Sequence, residues 1–142
     1  MNVEKKEEIE KPKKNEVKKK DIKKPEEENE EDVINENIRS FLKSAELVYK
    51  SGDFTSATIL YFKTLFVIFD LLILKGLGRT PKDHGERFRI LESNYPDLYT
   101  LLDKTYPIYR NTYTVKINKE TADGVKKNVE TVIKEQRIFE DN

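Results

Sequence analysis

The sequence predicts an all-α protein, an up-and-down bundle of four to five helices preceded by a disordered, charged tail. Three observations carry that prediction. Apolar residues recur at steps of three and four along most of the chain after residue 31, the spacing of a helix face. One long segment beginning at Phe54 is apolar nearly all round, as a buried central helix is. Residues 1–31 are almost entirely Lys, Glu, Asn and Pro, with only Val3, Ile9, Val17 and Ile22 apolar after Met1.

The domain boundary follows from that contrast. A segment so poor in apolar side chains cannot offset its ordering entropy, so residues 1–31 read as a disordered tail and 32–142 as the folded domain. The tail is blocky: "KPKKNEVKKKDIKK" carries eight Lys against two acids, and "EEENEED" carries six acids and no base. The basic block could meet RNA or another acidic surface through counterion release. Its plainer role is to solubilise the chain.

Composition sets further bounds. The 142 residues carry zero net charge, no Cys, one His and one Met. Lack of Cys excludes disulfides and thiol or Cys-metal chemistry, and suits a reducing, cytoplasmic setting. No apolar stretch follows Met1 as a secretory signal requires. Zero net charge conceals strong segregation, so a local basic surface remains open.

The first helix is expected at about 33–51. Its stripe is Ile34, Ile38, Phe41, Leu42, Ala45, Val48 and Tyr49, with Asp32 as N-cap and Gly52 past the end. Asp53 caps the second helix, "FTSATILYFKTLFVIFDLLILKGLG", which Gly76 and Gly78 close. That run is long enough to span a membrane. Lys63 and Asp70 argue against it, since a charge at mid-bilayer costs on the order of 3 kcal/mol. Seven residues apart, they share a face, and they can meet solvent, each other or a partner chain.

Thr80 as N-cap and Pro81 at the first position predict the start of a third helix, weakened by Gly85. Pro96 opens a fourth, with Leu98, Leu101, Leu102, Tyr106 and Tyr109 as its stripe. Pro107 is expected to kink it. "TYTVKI" is β-rich, but so short a run without a partner strand reads as a linker. Asn118 caps a fifth helix carrying Ala122, Val125, Val129, Val132 and Ile133.

Several chemistries are missing. "GLG" at 76–78 lacks the helix start and Lys-Ser/Thr of a phosphate loop. The lone His84 has no nucleophile or acid at triad-like spacing, and no Glu-x-x-His motif exists for a di-metal bundle. No catalytic residue and no metal or cofactor are therefore assigned. His84 near a helix start is either a packing residue or one that transfers protons or contacts a nucleotide.

Two stretches resemble a known family. "FLKSAELVYKSGDFTSATILYFKTLFVIFDLLILKGLG" is similar to the first two helices of HEPN domains. Those pair a helix ending in Ala-x-x-x-Tyr with a Gly-Asp turn and a long buried helix. "DHGERFRILES" resembles the HEPN segment in which a His opens the third helix. "YRNTYT" falls where HEPN ribonucleases place an Arg, a polar residue and, four to six residues after the Arg, a His. The resemblance spans about residues 33 to 137. Arg110 and Asn111 match the first two motif positions, but Val115, Lys116 and Ile117 stand where the His belongs. Cleavage at a 2′-hydroxyl needs a group titrating near neutrality, and none of these three does.

The resemblance thus implies a HEPN scaffold with a broken catalytic motif. It further implies a homodimer with the motif at its seam, and a partner such as a nucleotidyltransferase or the other half of a toxin–antitoxin pair. Lys63 and Asp70 on the second helix are candidates for that seam. A second reading is an RNA- or nucleotide-binding protein with residual endoribonuclease activity. In it Arg110, Asn111, Lys116 and His84 contact phosphate and base while Tyr113 stacks. In a third, "AELVYKSGDFTSATILYFKTL" is similar to one tetratricopeptide unit of a peptide-binding adaptor. No second copy follows, and stable arrays need about three.

Overall fold

The computed structural model describes residues 28–140, and among them are five α-helices and no strand. They are α1 (Glu30–Lys50), α2 (Phe54–Leu77), α3 (His84–Asn94), α4 (Pro96–Asn111) and α5 (Lys119–Glu135). The all-α bundle expected from the hydrophobic spacing is what the chain forms. The chain divides into two compact units after Val33; of the first, only residues 28–33 are described. The Lys-rich block of the tail lies outside the described residues.

The first helix begins earlier than its apolar stripe. Its first residue is Glu30, and the Asn29 side chain accepts a hydrogen bond from the Asp32 backbone N–H at 2.8 Å. Asp32 is therefore a first-turn acid favoured by the helix dipole, and the cap lies three residues upstream of it. The helix ends as the sequence indicates. Gly52 adopts φ 92°, a left-handed conformation that a side chain disfavours, and donates to the Tyr49 carbonyl at 3.0 Å.

α2 is the centre of the fold. Asp53 accepts from the Ser56 N–H at 3.0 Å and so satisfies one of the open donors of its first turn. Tyr61, Phe62, Leu65, Ile68, Phe69, Leu71 and Ile73 are all buried. Two polar residues in this run, Thr58 and Thr64, are fully buried as well. Each returns its hydroxyl to the carbonyl four residues back, at 2.8 Å, and leaves no unpaired group. α2 has the length and apolarity of a membrane span, but 61% of its most apolar window is covered by the rest of the fold. Gly78 ends it with φ 82°.

The third helix starts at His84 rather than after Thr80. Asp83 is its cap, accepting from the Glu86 N–H at 2.8 Å, while Glu86 reaches back to the Lys82 N–H at 2.7 Å. This reciprocal pair satisfies two open donors at the start of the helix. α4 has Pro96 in its first turn and runs on through Pro107 to Asn111. Proline in that penultimate turn deletes a single ladder bond, and α4 remains one continuous helix. "TYTVKI" is a linker, held at its far end by the Ile117 N–H donating to Thr55 Oγ1 at 2.9 Å. Asn118 then caps α5 through the Thr121 N–H at 2.8 Å.

α2 packs against α3, α4 and α5, and α3 packs against α4. α1 reaches α5 through the Tyr49 hydroxyl, which donates a short hydrogen bond to Asp123. It also meets the chain's C-terminal turn, where the Arg39 guanidinium lies 4.4 Å from the Phe139 ring centre.

Candidate functional site

Steps of three and four along α2 place Lys63, Phe66 and Asp70 on one face, and that face meets α3. Asp70 holds Arg87 at two points, Nε to Oδ1 at 2.8 Å and Nη2 to Oδ2 at 3.0 Å. The pair is partly buried, with 11% of the Arg87 side chain and 20% of the Asp70 side chain exposed. The remaining guanidinium nitrogen Nη1 donates to Nδ1 of His84 at 2.6 Å. Arginine is always a donor, so His84 is neutral here, with its proton on Nε2. Burial lowers the His84 pKa below 6.5, the Arg87 charge lowers it further, and Lys63 adds to the fall. Asp70 and Asp83 oppose that fall.

Aromatic rings surround this pair. The His84 ring meets Phe66 edge-on at 4.8 Å and lies 6.1 Å from Tyr106 and 6.3 Å from Tyr109. Arg87 stacks its guanidinium 5.1 Å from the Phe66 ring centre. Tyr109 packs against both Phe62 and Phe66. Its hydroxyl lies 3.3 Å from that of Tyr113, and burial with that hydrogen bond pushes its pKa up to about 12. Tyr113 is 73% exposed, and Val115 is 52% exposed. An aromatic path thus leads from the core at Phe62 to a ring in solvent.

The sequence candidates fall into two sets. His84, Asp70 and Lys63 belong to one electrostatic cluster, and Tyr113 joins it through Tyr109. Asp70 makes its ion pair with Arg87 inside the chain. Arg110, Asn111 and Lys116 are exposed at and after the end of α4. Among the described residues, Arg110, Lys63 and Lys116 make no ion pair. Asn111 serves the turn through its backbone carbonyl, which accepts from the Val115 N–H at 2.8 Å.

Arg87 joins the cluster together, and the sequence reading passed over it. A signal was present: it stands three before Ile90 and four before Leu91, a lone cation on an apolar face. Phe66 was absorbed into the apolar run of α2, where nothing distinguishes a ring that meets a His from one that meets Leu. Chemically, the surface offers cations, a neutral imidazole and the exposed aromatic plane of Tyr113. Among the described residues no group of three His, Asp or Glu side chains gathers to hold a metal ion.

Comparison of the chain with family models, curated proteins and solved structures finds no match.

Proposed function

We propose that this chain is a HEPN-like helical interaction module without nuclease activity. It works as a pair of copies joined through the surface that carries His84, Tyr109 and Tyr113. The observation that carries this reading is Tyr113, a large ring 73% in solvent yet tethered through its hydroxyl to the buried Tyr109. A ring in that setting is already oriented, and Val115 beside it adds apolar area, the composition of an interface centre. The absence of a His at positions 115–117 removes the acid–base group that cleavage needs.

The charges favour a second reading for the same surface, the binding of single-stranded RNA. Among the described residues Lys63, Arg110 and Lys116 make no ion pair, and Tyr113 offers a stacking plane. A seam between two copies doubles those cations, and a polyanion lying along it relieves their repulsion. Sedimentation of the full chain at micromolar concentration, with and without a single-stranded RNA, tests both readings. A dimer that RNA strengthens fits the two together. A dimer indifferent to RNA leaves self-association alone. A monomer in both conditions overturns the paired module, and RNA bound to that monomer assigns the surface to nucleic acid.

A further inference from the structure

His84 is the first residue of α3 and is exposed, so its ring has solvent on one side and the fold on the other. On the inner side Nδ1 accepts from Arg87 Nη1 at 2.6 Å, and the ring meets Phe66 edge-on at 4.8 Å. That contact holds only while Nδ1 carries no proton. A protonated imidazole has two donors and no acceptor, and a guanidinium has donors only. Protonation therefore sets one N–H against another and places two cations side by side.

The acids around the ring are already engaged. Both oxygens of Asp70, on α2, accept from Arg87. Asp83, the preceding residue, uses Oδ1 to cap the Glu86 N–H. Glu86 accepts from the Lys82 N–H and pairs with Arg79 at 3.3 Å. Lys63 adds a positive charge from α2. From α4, Tyr106 and Tyr109 present rings that are uncharged at neutral pH. The helix contributes too, because a cation is disfavoured at its N-terminus, the positive end of the macrodipole. The His84 pKa accordingly lies below its ordinary value, with burial the largest cause and Arg87 the next.

We propose that protonation of His84 separates the paired copies, so that the surface carrying His84, Tyr109 and Tyr113 associates near neutral pH and releases in mild acid. This regulation rests on the paired-module reading. The proton turns the ring away from Arg87, Phe66 and Tyr109 toward solvent, and each copy then brings one more cation to the seam. Lys63, Arg110 and Lys116 make no ion pair among the described residues, so the new charge joins a surface that is already cationic. A charge placed between two copies must be stripped of water and held near its like. Each copy carries a single His. Two protons are thus taken up for every pair released, a steeper response than one titration gives.

Sedimentation equilibrium of the full chain at pH 7.5, 6.5 and 5.5 tests this, across the range in which an imidazole titrates. Far-UV circular dichroism checks the fold at each pH, and the lowest pH that keeps the native spectrum replaces pH 5.5 if the chain unfolds there. The dimer Kd is expected to rise about tenfold from pH 7.5 to pH 5.5. His84→Asn supplies a carbonyl oxygen that accepts from Arg87 and does not titrate, so its Kd should stay constant. His84→Lys carries its charge throughout and should be weakened about tenfold already at pH 7.5. A wild-type Kd that does not change with pH, or one that rises equally in His84→Asn, overturns the proposal and leaves the paired module standing. A wild-type chain that is monomeric at pH 7.5 overturns the paired module and the proposal with it.

Discussion

Asp70 and Arg87, seventeen residues apart on α2 and α3, are joined by two parallel hydrogen bonds of 2.8 and 3.0 Å, and this pair fixes how the two helices face each other. Each of the three guanidinium nitrogens has a partner, because the third contact is the His84 ring. A planar fork suits this role and a Lys would not fill it.

Removing one partner strands the other. Asp70→Asn is expected to destabilise the fold by about 2 kcal/mol, less than a fully buried pair because both side chains keep some contact with water. Urea denaturation measures it. Asp70→Asn combined with Arg87→Met should cost less than the sum of the two single changes, since the double variant leaves no uncompensated charge.

The His84 pKa is lowered in the folded state, so the unfolded chain binds the proton more tightly. Stability from this group is full above the unfolded value near 6.5 and declines as pH falls below it, towards and through the lower folded value. Thermal melts from pH 7.5 down to pH 5 (roughly the range over which an imidazole titrates) should show that decline. His84→Gln should flatten it, and an unchanged slope in this variant would remove His84 as its source.

Gly76 lies inside α2 directly under the Tyr95 hydroxyl, which donates to the Leu72 carbonyl at 3.0 Å. A methyl group there overlaps that hydroxyl. Gly76→Ala normally adds about 1 kcal/mol to a helix. Here the gain is cancelled by loss of a hydrogen bond worth a similar amount, so the variant should be near neutral. With Tyr95→Phe in place, the nearest remaining atom is the ring Cζ at 3.7 Å, an ordinary contact. In that background the same substitution should stabilise by about 1 kcal/mol.

Arg110→Ala and Lys116→Ala touch exposed side chains without an ion pair among the described residues. Each should shift stability by less than about 0.5 kcal/mol. If RNA occupies this surface, each should also lower the salt dependence of RNA binding by about one unit of slope. Variants that bind RNA with wild-type affinity and slope would take these cations out of the interface.

Local chemistry was legible in the sequence, and distant pairings were not. Asp53 and Asn118 as caps, Gly52 and Gly78 as stops, and the burial of α2 all follow from short-range rules that a single strand of text contains. Thr80-Pro81 looked a better start than Asp83 because Pro is distinctive, whereas the reciprocal bond between Glu86 and Lys82 is visible only in three dimensions. The site divides the same way. His84, Asp70 and Lys63 were each noticed, but their convergence depends on how α2 and α3 cross, and Arg87 gave its signal only through its spacing to Ile90 and Leu91.

The Thr55–Ile117 hydrogen bond bridges 62 residues and anchors one end of the segment that carries Tyr113 and Lys116. The other end is closed by Thr112, whose hydroxyl and N–H both return to the Tyr109 carbonyl. Only four residues lie between these anchors. So short a span has few conformations to give up when something settles on it, and the entropy that long recognition loops surrender on engagement is here already surrendered during folding.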